Sequence, residues 1–302
     1  MTSPAREPAR SGLVARVSEA PREDAPELLA LAVEAARMAG ALLIKRALGG
    51  VERDLASKST PTDLVSEADV SSQRAIRELL RERRPDDGFV GEEEGESEVG
   101  SSGLSWVVDP LDGTVNFVFA IPQWSVSVAV RDAGGTIAGV VFDPNRDELF
   151  CATREGPAQM LGADHDVELS SRGRADATRE RSPGEVAEPG GQLASAMVAT
   201  GLAYDAEVRR AQARVLERVA PRVRDIRRFG SAALDLAWTA AGRFDAYYER
   251  SVKQWDIAAG ALICERAGLE IRELPAHENL PWGILAAPAA LAEPLLELVS
   301  VP

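Results

Sequence analysis

The 302-residue sequence predicts a layered α/β fold, built as one large domain or as two halves sharing an interface. Short runs rich in Val, Ile and aromatic residues, WVVD, WSVSVAV and TIAGVVFD, succeed one another between residues 106 and 143 with turn residues between them. Long stretches with apolar residues at helical spacing precede and follow these runs. With 45% hydrophobic residues, the chain is long enough to bury a substantial core.

Residues 1–22 mix Pro, Ser, Ala and Arg without a period and read as a tail. From Pro26, PELLALAVEAARMAGALLIKRALGG carries an amphipathic helix that Gly49 and Gly50 stop. The next stretch begins as a polar loop. Ser66, three residues before Asp69, then starts a helix holding Ile76, Leu79 and Leu80, which Pro85 ends. Residues 91–103, GEEEGESEVGSSG, form an acidic loop. The strand runs follow, the last joined by PNRD to ELFCA as a hairpin. Residues 163–192 lose hydrophobicity and mark a surface excursion between a half at 23–162 and a half at 193–302. The second half reads as a strand at SAMVAT, helices at AQARVLERVAPRVRD and SAALDLAWTAAG, and a strand at FDAYYE. A helix from Asp256 to Ala267 and a final strand and helix across GILAAPAALAEPLLELV complete it.

The net charge of −14, from 48 acids against 34 bases, argues against a nucleic-acid or anionic-membrane surface. No apolar run approaches the roughly 18 residues of a membrane span. Cys151 and Cys264 stand outside any CxxC spacing and suggest neither a disulfide framework nor a zinc site. A reducing cytoplasm is the compartment expected.

The stretch WVVDPLDGTVNF sets Asp109 and Asp112 at the end of a buried run and directly before a Gly-Thr turn. Pro110 donates no ladder hydrogen bond and Gly113 permits a sharp turn, so both carboxylates are expected at the strand's C-terminal edge. Two carboxylates held close raise each other's pKa unless a cation lies between them, and oxygen ligands suit a hard divalent ion such as Mg²⁺. Both acids would serve equally well as turn or cap residues, Asp256 as the N-cap of its helix, and Glu94 and Glu96 as solvated loop acids. An EF-hand starting at Asp109 fails on Leu111 and Gly113, and an aspartyl-nucleophile DxD phosphatase fails on Leu111. No Cys-x5-Arg loop or Walker A loop is present, and His165 and His277 lie in weakly patterned segments that favour the surface.

Taken together, WVVDPLDGTVNF, the following IPQWSVSVA, the upstream GEE and the late WDIAAGALICERAG closely resemble the inositol monophosphatase family. The likeness runs from about residue 26 to 298, and RRFGSAALDLAWTAAGRFDAYYE resembles the bacterial inositol-1-monophosphatases in particular. This resemblance implies a five-layer αβαβα sandwich, a homodimer, three Mg²⁺ ions and sensitivity to Li⁺. It implies that Glu92, Asp109 and the Leu111 carbonyl hold a first ion, and Asp109, Asp112 and Asp256 a second. Glu92 would also touch a weaker third. Thr114 and Asp69 would orient and deprotonate the attacking water, with Glu93 behind them and Glu92 among the catalytic acids. Gly113 and Thr114 would offer N–H groups to the phosphate. Gly230, Ser231 and Ala232 would line the sugar-alcohol pocket, Glu249 would bind inositol hydroxyls, and Asp112 and Asp256 would also border the substrate. Lys58 and Asp63 match loop positions before the first of these acids, although Lys58 reads equally as a solvated lysine.

ERAGLE departs from the family's usual EAGG, Lys253 stands where some members carry His, and the loop after Glu94 is long and acidic. The implied reaction is Mg²⁺-dependent hydrolysis of a phosphate monoester, inositol-1-phosphate first. The alternatives on the same scaffold are fructose-1,6-bisphosphatase, histidinol-phosphatase or 3′-phosphoadenosine phosphatase. A non-catalytic regulatory binding protein is the rival of another class.

Overall fold

A computed structural model of the chain describes residues 22–49, 55–57, 64–93, 97–162, 166–170 and 191–300. The expected tail at 1–21, most of the 163–192 excursion, and Lys58, Asp63, Glu94, Glu96 and His165 lie outside the described residues.

The first half begins with helix α1 (Ala25–Leu48), a small hairpin of β1 (Leu55–Ser57) and β2 (Leu64–Ser66), and helix α2 (Glu67–Arg83). Strands β3 (Gly88–Gly91), β4 (Ser97–Glu98) and β5 (Ser105–Asp112) precede the short helix α3 (Thr114–Val118). Then come β6 (Ser125–Asp132), β7 (Gly135–Asp143), β8 (Glu148–Thr153), β9 (Gln159–Leu161) and β10 (Asp166–Glu168). These form an eight-stranded sheet in the order β10-β9-β8-β7-β6-β5-β3-β4, antiparallel except where β3 runs parallel to β5.

After the one-turn helix α4 (Gly191–Ala194), the chain forms β11 (Met197–Thr200), α5 (Ala206–Val219), β12 (Asp225–Arg227) and α6 (Ala232–Ala240). It continues through β13 (Ala246–Arg250), α7 (Gln254–Arg266), β14 (Glu270–Leu274), β15 (Gly283–Ala287) and α8 (Ala289–Val299). The second sheet has the order β12-β11-β13-β15-β14.

Three apolar zones order these elements into the five expected layers, αβαβα. In α1, Leu28, Leu31, Ala32, Ala35, Ala39 and Leu43 recur every three or four residues and lie buried on one face. That face and α2 cover the outer side of the large sheet, meeting Trp106, Val108, Val126, Val128 and Val130. Val107 and Ala129, of opposite parity on the same strands, face inward to α6 and α7. The far side of α6 and α7 meets the second sheet, where Tyr247 of β13 faces them. Its neighbour Tyr248 faces the outer pair α5 and α8. No helix among the described residues is long and apolar enough to cross a membrane.

Several elements depart from their sequence reading. The helix expected over residues 211–225 instead starts at Ala206, because the Asp205 carboxylate accepts from the N–H groups of Glu207 and Val208. It ends at Val219, where Pro221 forces a 3-10 turn. The expected polar loop before Ser66 contains β2. The excursion contributes β10 to the edge of the large sheet, and β9, β12 and β14 lacked a period-two signal. Asp256 is the third residue of its helix, with Lys253 at the N-cap position.

The inner helical layer sits very close to the large sheet. A Cβ at Gly139 of β7 would lie 2.8 Å from the Ala259 Cα of α7, a main-chain atom that cannot swing aside. Gly139→Val is therefore expected to lower unfolding stability by about 1–3 kcal/mol, as overpacking does. The check is a lower urea midpoint with an unchanged denaturant slope.

Candidate active site

The period of the large sheet aims the first acid. Trp106 and Val108 point to the outer helices, so Asp109 shares the inward face with Val107. Strand β5 does not stop at Pro110 as the sequence suggested. Asp109 pairs with Ser127 and Asp112 with Ser125, so one extra residue on β5 is absorbed in a bulge. The bulge takes up the missing proline N–H and turns Asp112 toward the inner helices. Gly113, at φ 102°, then reverses the chain into α3.

Each acid is tied to main-chain donors. The Leu111 N–H donates to Asp109 Oδ1 at 3.0 Å. Asp112 accepts from the Ser231 hydroxyl at 2.6 Å and from the N–H groups of Ala232 and Ala233 at 3.2 and 2.7 Å. It thus satisfies the first turn of α6 from another element. Asp256 Oδ2 accepts from the Lys253 N–H at 2.6 Å at the start of α7. The turn and cap roles weighed from sequence are therefore present in the geometry, and they fix the same carboxylates around one space.

That space is a cavity of about 420 Å³, bordered by Glu92, Asp109, Leu111, Asp112, Gly113 and Thr114. From the second half, Gly230, Ala232, Glu249 and Asp256 join its wall. The two remaining candidates stand behind it. Asp69, fully buried in the first turn of α2, accepts from the Thr114 hydroxyl at 2.8 Å. Ser231, also fully buried, gives its hydroxyl to Asp112 and does not border the cavity. Glu93 is buried, its main chain clamped by the Gln73 side chain through bonds of 2.7 and 2.9 Å. His277 is exposed.

Burial first, and then the charges of Glu92, Asp112 and Asp256, push the Asp109 carboxyl well above the usual range. Burial followed by Glu92 and Asp112 does the same to Asp256. Burial raises Asp112 only to about 6, because its three hydrogen bonds favour the charged form. Glu249 is raised by burial to about 7, against the opposing pull of Tyr247 and Arg228. Among the described residues no three His, Cys, Asp or Glu side chains form a set closed enough to hold a metal ion. The donors are nonetheless all oxygen and negatively charged when ionised, the chemistry that a hard divalent cation takes.

Sequence reasoning passed over several wall residues, Arg228, Tyr204 and Trp255 among them. Arg228 lies in the quoted RRFGSAALD run and stands by Gly230, while Tyr204 and Trp255 carried no signal beyond aromatic character. It also passed over Asp235, 1% exposed, whose carboxyl oxygens have no hydrogen-bond partner among the described residues.

The sequence matches the inositol monophosphatase family over residues 24–299. It is 38% identical over 249 residues to the inositol-1-monophosphatase of Caulobacter vibrioides, spanning 82% of this chain and 90% of that protein. A protein of Pasteurella multocida named Nus factor SuhB is 39% identical over 268 residues, covering 87% of this chain and 91% of its own length. Among solved structures, the extragenic suppressor protein suhB of Bartonella henselae superposes with a TM-score of 0.75 at 32% identity, over 90% of this chain and 98% of that one. The layered architecture and the match across nearly the whole described chain make it a member of the inositol monophosphatase family.

Proposed function

We propose that the chain hydrolyses a phosphate monoester of a polyol, inositol-1-phosphate first, with Mg²⁺ as cofactor. The observation that carries this reading is the set of mutually repelling acids, Glu92, Asp109, Asp112 and Asp256, around one cavity with the Thr114–Asp69 pair at its edge. Glu92, Asp109, the Leu111 carbonyl, Asp112 and Asp256 are the residues that would hold Mg²⁺. When bound, the ions neutralise these acids, attract the dianionic ester and make water a better nucleophile.

The rest is the work of the chain's own groups. Thr114 Oγ spends its proton on Asp69, which leaves its lone pairs free to orient a water. The water oxygen joins phosphorus, its proton passes to the Thr114–Asp69 pair with Glu92 and Glu93 nearby, and the P–O bond to the alcohol breaks, the leaving oxygen taking a proton from solvent water. Main-chain N–H groups of Gly113 and Thr114 face the phosphate. Gly230 and Ala232 border the alcohol, Ser231 steadies Asp112, and Glu249 accepts from ring hydroxyls. The exposed Phe119 and Ile121 offer an apolar contact for the homodimer that the resemblance implies.

A second reading, a regulatory binding protein, draws support from the relative named a Nus factor. It gives no reason for the retention of every acid of the set, so hydrolysis is the reading kept.

Asp109→Asn and Asp112→Asn are each expected to lower Mg²⁺-dependent phosphate release by at least about 100-fold. Because one repelling charge is removed, the metal-free variants should melt at or above the wild-type temperature. Wild-type turnover by Asp112→Asn at saturating Mg²⁺ would refute the assignment.

Folded carboxyls with raised pKa bind protons more tightly than unfolded ones, so metal-free stability should fall as pH climbs from 3.8 to about 6 across the Asp112 window. At pH 7.5, Mg²⁺ at 100 times its Kd should restore about 2.7 kcal/mol, read as a rise in melting temperature.

Among inositol-1-phosphate, fructose-1,6-bisphosphate, histidinol phosphate and 3′-phosphoadenosine phosphate, the inositol ester is expected to give the highest kcat/KM. Added Li⁺ should suppress that turnover. A higher kcat/KM on the bisphosphate or the nucleotide would replace the substrate named here.

A further inference from the structure

Glu249 lies on β13, two residues beyond Tyr247, so both side chains leave the strand on its inner face. Tyr247 is fully buried among the inner helices. Its hydroxyl donates to Glu249 Oε2 at 3.0 Å and is the one hydrogen-bond donor to that carboxylate among the described residues. The carboxylate also rests on Gly201, just beyond β11. A Cβ there would lie 1.9 Å from Oε1, 2.0 Å from Cδ and 2.2 Å from Oε2. The carboxylate is therefore in contact with a phenol and with a bare main chain, and Glu249 borders the cavity.

We propose that Tyr247 and Gly201 are positioning residues for recognition of the alcohol, fixing the Glu249 carboxylate so that it selects esters whose ring carries hydroxyls. This rests on the reading of Glu249 given above. A fixed acceptor pre-organises the bond to a hydroxyl, whereas a carboxylate free to rotate must be ordered each time a ligand binds. An ester without ring hydroxyls gains nothing from that order. Tyr247→Phe removes the donor and keeps the ring that fills the core. Gly201→Ala acts from the other side, and its added methyl meets the end of a side chain that can move.

The test measures initial rates on wild type, Tyr247→Phe, Gly201→Ala, Glu249→Gln and the Tyr247→Phe/Glu249→Gln double variant. The two substrates are inositol-1-phosphate and phenyl phosphate, both with Mg²⁺. Each single change at 247 and 201 is expected to raise KM for the inositol ester about tenfold, the worth of one bond to a charged group, with a smaller change in kcat. The loss in kcat/KM should be about tenfold greater on the inositol ester than on phenyl phosphate. In the Glu249→Gln background the Phe substitution should cost less than about twofold, since the group it positions is already gone. Equal losses on the two esters, no loss on either, or full additivity with Glu249→Gln would each overturn the positioning role. If Tyr247→Phe fails to fold, Gly201→Ala decides alone by the same ratio. Wild-type release of phosphate from neither ester would sink the hydrolase reading itself, and this proposal with it.

Discussion

The organisation of this protein follows from one electrostatic constraint: carboxylates from distant parts of the chain are held around one space, where the charges of Glu92 and Asp112 make the buried Asp109 and Asp256 harder to ionise. Taking such charges from water costs several kcal/mol apiece unless something compensates. Part of the compensation is local. The Leu111 N–H serves Asp109, the start of α6 serves Asp112 and the Lys253 N–H serves Asp256. Apart from the Ser231 hydroxyl on Asp112, these tethers are main-chain groups, whose position is set by sheet and helix geometry rather than by side-chain rotamers. The scaffold can thus hold the acids in place against their repulsion.

This explains why the middle helical layer matters more than its modest length suggests. Helices α6 and α7 pack on the inner face of the large sheet and also face the second sheet. Ala232 and Ala233 at the start of α6 give their N–H groups to Asp112, and Lys253, at the N-cap of α7, gives its N–H to Asp256. The close approach of α7 to β7 at Gly139 holds this helix tightly against the sheet that carries β5. Core packing and site geometry are the same contact seen from two sides.

The large sheet and the acids on it were legible in the sequence because they obey short-range rules. WVVD and WSVSVAV alternate faces, the hairpin at PNRD carries its turn residues, and Pro110-x-Asp112-Gly113 marks an irregular strand end. The continuation of β5 past Pro110 was not legible, since a bulge depends on the partner strand and Asp112 pairs with Ser125 only through it. Short strands such as β12 and β14 escaped notice because their order comes from neighbours brought in over long sequence distances. The Tyr247–Glu249 pair was hidden in plain view: FDAYYE read as a strand, yet which of its two tyrosines faced the acids required knowledge of the sheet's two covers.

Asp235 completes the electrostatic account. It sits in the first turn of α6, 1% exposed, its carboxyl oxygens without a hydrogen-bond partner among the described residues, close enough to Glu249 and Asp112 to feel both charges. Burial, followed by Glu249 and Asp112, pushes its carboxyl well above the usual value, with Arg228 opposing them. All the larger influences favour the protonated form. Pushed toward its protonated form, this carboxyl adds bulk and polarity beside the site with less negative charge than an ordinary aspartate would carry. Under the proposed hydrolase reading, Asp235 held toward the protonated form adds little to the repulsion of the acids that border the cavity.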